Sequence, residues 1–285
     1  MDLAIIIINY KTEELTNNCL ASLREADLTG IDHEIIVVDN ASGDGSIEAV
    51  AAAYPECRVI INEDNFGFAK ANNIGIRATD ADHVLLLNSD TVVEKQTIKY
   101  TFERMKADPV IGAMGCKILL PDGKLDAACK RSFPTPASGL CHTLKLDKLF
   151  PRNHFFGAYN LTYLDEDTVA DVDCLCGAYM MVSRAAFEKA GLLDEDYFMY
   201  GEDIDWCYCI KNAGFRICYD PAVSITHYKR ASGIGKRNPK IIEAFYDAMG
   251  IFFNKHYKGK YNPVLTGTVL AGTRVMKRIA LFKNR

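Results

Sequence analysis

Several short apolar runs of this chain end in side chains able to do chemistry. "LAIIII" leads into Asn9 and Tyr10, "EIIVV" into Asp39, "CRVII" into a turn holding Asn65 and Gly67, and "HVLLL" into Asn88 and Asp90. Farther along, "YFMYGEDIDWCYCI" carries Glu202 and Asp203 directly after Gly201, and "SITHY" delivers His227. Asn, Asp and Gly are also standard turn and cap residues, so each has a purely local use. Four polar ends converging on one edge of a sheet weigh against local use alone. Asp203 opens a helix whose Trp206, Cys207 and Ile210 lie at i+3, i+4 and i+7, which turns its carboxylate toward the protein. At a helix N-terminus such a carboxylate stays ionised and rigidly held, the properties of a general base. A lone histidine after a strand is more often structural; with Asp90 at a neighbouring sheet end, His227 reads as part of a site.

The elements that must position these groups alternate. After the first apolar run, Leu15, Cys19, Leu20 and Leu23 recur at helical spacing. A helix is predicted from about Ser46, another after the Gly67 turn, and two short strands between Gly214 and His227. Nearly continuous apolar strands separated by helices predict an α/β chain with a mostly parallel sheet covered on both faces. Ligands of such sheets bind beyond the carboxyl ends of the strands. No GxGxxG or GxxxxGKS is present, which removes the usual dinucleotide fold and the P-loop.

Bulk properties fit a globular protein. The 285 residues are 49% hydrophobic and 25% charged, enough to bury a full core. The first residues, "MDLAIIIINYKTEE", do not read as a signal peptide, and no window is long and apolar enough to span a membrane. Ten cysteines then predict reduced thiols in a cytoplasm. The i,i+2 pairs Cys174/Cys176 and Cys207/Cys209 read as small buried hydrophobes rather than metal ligands. Charge is uneven: residues 229–285 hold 13 Lys and Arg against two acids, a local +11 that leaves −15 on the first 228. A basic tail on an acidic body calls for an anionic partner.

Taken together, "IIIINYKT", "IIVVDNASGDGS", "NEDNFGFAKANNIGI", "VLLLNSDT", "GCKILLPDGKL", the stretch from "DVDCLCGAYMMVS" through "GEDIDWCYCI", and "ITHYKRASG" resemble family 2 glycosyltransferases of the GT-A fold, most closely the bacterial rhamnosyltransferase branch. The resemblance runs over roughly residues 3 to 233. It implies a catalytic domain over 1–233 with a single Rossmann-like nucleotide-binding sheet, followed by a basic helical segment over 234–285. It also implies roles. Tyr10 stacks on a pyrimidine base beside Asn9, Asp39 accepts hydrogen bonds from the base, and Asn65, Gly67 and Asn73 line the nucleotide and diphosphate. The metal-binding acid motif reads Asn88-Ser89-Asp90, with Asn88 toward the ribose, Asp90 holding Mg²⁺ or Mn²⁺, and His227 completing the metal site. Glu202 and Asp203 form the Glu-Asp motif, Asp203 being the catalytic base. The implied activity is metal-dependent, inverting hexosyl transfer from a dTDP- or UDP-sugar, with L-rhamnose first, to a saccharide or lipid-linked acceptor in surface polysaccharide assembly. Many relatives carry Arg where this chain has Asn72 and Cys209; Lys70, Lys229 and Arg230 are the candidate replacements near the diphosphate.

Two regions are less regular. From Cys116 to Asp171 no clean periodicity appears, and position in the chain assigns the stretch to the acceptor cleft. After Arg237, "NPKIIEAFYDAMGIFFNKHY" predicts an amphipathic helix capped by Asn238 with Pro239 first. "VLTGTVLAGTRVMKRIALFKNR" then mixes apolar with basic residues and reads as a helix touching an anionic membrane, or packing on the domain or on a second copy. The expected location is therefore cytoplasmic and peripheral on the inner membrane face. Nucleic acid is not an expected partner, since the body is acidic and no recognition motif appears. Two rivals are a nucleotidyltransferase, for which "NYKTEEL" lacks a Gly-rich basic loop, and a catalytically inactive nucleotide-binding relative.

Overall fold

The computed structural model describes residues 1–228 and 238–284. Lys229, Arg230, the end of "ITHYKRASG" and the 233/234 boundary lie outside the described residues. Strands β1 (Leu3–Asn9), β2 (His33–Asp39), β3 (Arg58–Ile61) and β4 (His83–Asn88) form a parallel half-sheet in the order β3-β2-β1-β4. Helices α1 (Glu13–Glu25), α2 (Ser46–Ala53) and α3 (Gly67–Arg77) alternate with them. β1 is buried on both faces, which is why its sequence is apolar without alternation. Register fixes the edge: Asn9 lies opposite Asp39, and Ile8 opposite Asn88.

Beyond β4 the sheet becomes mixed. β5 (Thr91–Val93) and helix α4 (Thr97–Ala107) precede β6 (Ile111–Leu119), and β8 (Tyr179–Ser183) enters antiparallel between β4 and β6. The two strands expected after Gly214 are one, β9 (Arg216–His227), parallel to β6. Its pairing slips between Cys116↔Asp220 and Lys117↔Ser224. Pro221 lacks an N–H for the ladder, and Asp220 accepts from Ala222 N at 3.1 Å instead. The stretch without periodicity contains short pieces: a 3₁₀ turn (Ala127–Cys129), α5 (Pro136–Thr143), α6 (Leu146–Leu149) and β7 (Ala170–Asp171), which pairs with β9. Thr135 and Ser138 form a reciprocal capping box at α5.

Helix α7 (Arg184–Ala190) leads to α8 (Glu202–Asn212), which buries Trp206, Cys207 and Ile210 as its spacing predicts. α9 (Pro239–Phe252) is capped by Asn238 and continues as a π-turn over Phe253–Tyr257. It packs onto the body: Phe252 stacks near Phe133 and Tyr208, and His256 hydrogen-bonds Asp205. α10 (Pro263–Lys283) lies on α9, with Lys277 paired to Asp247 at 2.8 Å, yet none of its residues is fully buried. Among the described residues no helix is long and apolar enough to cross a membrane.

Candidate active site

At the β1–β2 edge the polar groups satisfy one another. Asn9 donates its amide to Asp39 Oδ1 (2.7 Å), Ser42 Oγ (3.2 Å) and Ser46 Oγ (3.0 Å), and its carbonyl accepts from Thr12 and Thr16. Asn9 is wholly buried, and in this structure its amide orients Asp39. Asp39 also accepts from Ser42 Oγ (2.6 Å) and Ser42 N (2.9 Å). Three of about four lone-pair positions are thereby used among the described residues. Tyr10, 43% exposed, presents its ring at the same edge.

Asn40, which the sequence reading passed over, ties this edge to α3. Its amide donates to Asn65 Oδ1 (2.9 Å) and Gly67 O (3.1 Å) while its carbonyl accepts from Asn62 and Phe66. Asn65 also accepts from Gly67 N at 3.0 Å, closing the turn that starts α3. Gly67 has φ +80°, and a Cβ there would stand 2.2 Å from Phe198 O, so only glycine fits. Asn73 donates its amide to Leu193 O and Glu195 Oε1 and accepts from Leu193 N, so it fastens the 193–195 loop to α3.

β5 brings the next groups together, because its pairing sets Thr91 opposite His227 and Tyr228 N donates to Asp90 O. His227 Nε2 stands 3.1 Å from Asp90 Oδ1, and Nδ1 stands 3.4 Å from Asp126 Oδ2. Burial alone would lower the imidazole pKa; the hydrogen bonds to Asp126 and Asp90 outweigh it and push it up to about 9. Two cis ligands of an octahedral ion, each at about 2.1 Å, lie about 3 Å apart, so Asp90 and His227 are spaced as such a pair. The buried carbonyl oxygen of Asn88 has no hydrogen-bond partner among the described residues and adds a neutral donor. No cluster of three acidic, His or Cys side chains surrounds a common point among the described residues. A divalent ion held here would need further ligands from outside these side chains.

The third group is at the start of α8. Gly201, at φ +83°, turns the chain so that Glu202 and Asp203 enter the interior together. Asp203 Oδ2 receives Arg131 Nη2 at 2.7 Å and Gly177 N at 3.3 Å, and Oδ1 receives Ile204 N at 2.8 Å. Glu202 makes no such ion pair among the described residues. Burial first, and the Asp203 charge second, push its carboxyl well above the usual carboxylate range, and its Oε2 is unpaired among the described residues. Arg131 also donates to Leu175 O, while its Nε is unpaired among the described residues. Arg131 and Asp126 were missed as site residues. "RSFPTP" begins at Arg131, but nothing in the local pattern announces a partner 72 positions away. The cysteines behave as small hydrophobes: all ten are free, and burial pushes the Cys176 and Cys207 thiols up to about 12.

Carboxylates, an imidazole and an arginine thus gather near the strand ends of a half-parallel sheet. Residues 4–190 match the model of glycosyl transferase family 2, and the chain belongs to that family. It is 28% identical to the N-acetylglucosaminyl-diphospho-decaprenol L-rhamnosyltransferase of Mycobacterium tuberculosis, over 99% of this chain and 95% of that protein. It is 25% identical to the rhamnosyltransferase WbbL of Escherichia coli K12, over 79% and 82%. The mannosyltransferase PcManGT of Pyrobaculum calidifontis, solved with GDP-Man and Mn²⁺, superposes with TM-score 0.61 at 20% identity over 99% of this chain and 72% of that one. GalNAc-T7, solved with UDP, GalNAc and Mn²⁺, superposes with TM-score 0.64 at 15% identity over 90% of this chain and 49% of that one. The fold is the GT-A fold, and the chain is a glycosyltransferase.

Proposed function

We propose that this protein is a metal-dependent, inverting hexosyltransferase that moves L-rhamnose from dTDP-rhamnose to a hydroxyl of a lipid-linked saccharide during assembly of a surface polysaccharide. The observation that carries the reading is the set of unpaired buried atoms at one sheet edge. Of five such atoms among the described residues, Asn88 Oδ1, Arg131 Nε and Glu202 Oε2 belong to the site. Buried polar groups are normally paired, and three unpaired in one place are what a polar ligand would complete. Rhamnose and a lipid-linked acceptor are carried over from the names of the two rhamnosyltransferases, one of which acts on a diphospho-decaprenol substrate.

The residues divide the work as follows. Tyr10 stacks on the base, and the remaining lone pair of Asp39 accepts from it. Asp90 and His227, with Asn88 beside them, would hold Mg²⁺ or Mn²⁺; such an ion neutralises charge on the departing diphosphate. Asp203 takes the acceptor's proton as the acceptor oxygen bonds to the anomeric carbon and the bond to the diphosphate breaks. One displacement inverts that carbon through an oxocarbenium-like transition state. Arg131 holds the Asp203 carboxylate in one orientation, and the neutral Glu202 beside it adds no second charge. α10, basic and largely uncovered, lies against the anionic inner face of the cell membrane, where the acceptor's lipid resides.

The test is transfer from dTDP-rhamnose and from UDP-sugars, each with Mn²⁺, Mg²⁺ or a chelator. Ion-dependent product from dTDP-rhamnose supports the reading. Product from a UDP-sugar alone keeps sugar transfer and overturns rhamnose. Absence of nucleotide release from every donor overturns catalysis and leaves a nucleotide-binding relative.

A further inference from the structure

The irregular stretch between β6 and β7 exposes apolar side chains that the transfer chemistry does not use. Leu149 is 68% exposed and Phe155 62%. Phe150 stands beside them, its ring 5.3 Å from that of Phe156, which in turn lies 5.5 Å from Phe155. Leu144, also exposed, closes α5. Isolated exposed leucines are ordinary; four exposed large side chains within 12 residues, two of them phenylalanines that each contact the half-buried Phe156, form a patch.

Charge says what covers it. Lys145, Lys148 and Arg152 interleave with the apolar residues and are all exposed. Between Ala127 and Leu164 the only acid is Asp147, and it is buried under His142 and Asn160. The exposed charges of this stretch are therefore all cationic and lie among apolar side chains, on a chain whose first 228 residues are strongly acidic. A protein partner would be asked to match three bases around bare phenylalanines. An anionic bilayer supplies both halves at once, phosphates for the bases and acyl chains for the rings.

We infer that residues 144–155 are a membrane-docking element that seats Leu149, Phe150 and Phe155 at the headgroup boundary of an anionic bilayer, independently of α10. The mount is firm: the His142 and Asn160 contacts to Asp147 pin α6, and Ser132 N donates to Tyr159 O, next to the Arg131 that holds Asp203. Docking here places the bilayer along one flank of the catalytic carboxylates. That consequence for acceptor delivery rests on the proposed transfer reaction; the binding itself does not.

The test uses the full chain and phosphatidylcholine vesicles with and without phosphatidylglycerol, in co-sedimentation. Wild type binds the anionic vesicles. Combined Leu149→Ser, Phe150→Ser and Phe155→Ser, all at exposed positions, lowers binding about tenfold or more with α10 intact. Lys145→Gln, Lys148→Gln and Arg152→Gln together lower it about 100-fold, on anionic vesicles only. Val264→Ser with Phe282→Ser, on α10, leaves the patch-dependent component in place. A second readout exploits the single native tryptophan, Trp206, which is fully buried. In Phe155→Trp, brominated lipids quench the added fluorescence and leave that of Trp206. Wild-type binding by the serine variant, or no quenching in Phe155→Trp, overturns the inference. So does a serine variant that turns a dimer into a monomer with vesicle binding unchanged, which would assign the face to a second copy. A chain inactive on every sugar nucleotide would still give these readouts, so failure of the transfer reading is seen separately.

Discussion

The β1–β2 edge and the β4–α8 edge are built from the same residue types and finished differently. Around Asn9 and Asp39 nearly every lone pair and amide hydrogen is used within the protein. Around Asn88, Arg131 and Glu202 buried atoms are left over among the described residues, and two carboxylates meet basic side chains, Asp203 at Arg131 and Asp90 at His227. A saturated network rigidifies, whereas an unsaturated one costs stability until something completes it. The difference separates the frame of the site from its working part.

Substitutions on the two edges should therefore fail in different ways. The largest effect is expected at Asp203→Asn: turnover falls about 10² to 10⁴-fold while donor affinity, measured by calorimetry, stays near wild type. Retention of more than a tenth of turnover would remove Asp203 as the base. Asn9→Ala should act the opposite way. It strips Asp39 and two hydroxyls of a buried donor, and chemical denaturation should show a loss of about 2–4 kcal/mol. A loss below about 0.5 kcal/mol would mean the edge is not a frame at all.

Glu202 gives a pH signature. Its folded pKa is raised by burial and by Asp203, so the folded chain holds a proton that the unfolded chain releases above about 4.3. Stability from this group is fully present below that pH and is lost as pH rises toward the folded value. Melting temperature should accordingly fall across this window in the wild type and fall less in Glu202→Gln. Equal slopes would place the proton elsewhere. The smallest effect on stability is expected at Asn88→Ala, within about 0.5 kcal/mol of wild type, because the buried carbonyl oxygen has no partner to lose among the described residues. Its cost should appear in nucleotide affinity; a variant that unfolds early would instead show Asn88 to belong to the frame.

Much of this arrangement was legible in the chain. Continuous apolar runs gave the parallel strands, and their polar ends marked the edge where Asp39, Asn88 and Asp90 gather. The spacing of Trp206, Cys207 and Ile210 correctly turned Asp203 inward. What escaped is set by long-range pairing. Arg131 meets Asp203, and Asp126 meets His227 across 101 positions, through short pieces whose periodicity is too brief to read. The protein partners of Asn9 and Asn73 escaped for another reason: residue type announces a polar role without saying whether its partner is a ligand or the protein.

The central claim is that the unsaturated edge is completed by a sugar nucleotide and a divalent ion. Thermal unfolding of the wild type with dTDP and dTDP-rhamnose, each with and without Mn²⁺, tests it most directly. A ligand at about 100 times its Kd adds about 2.7 kcal/mol, so a clear rise in melting temperature that needs Mn²⁺ is the predicted result. An unchanged melting temperature with dTDP, dTDP-rhamnose and UDP-sugars alike would contradict it.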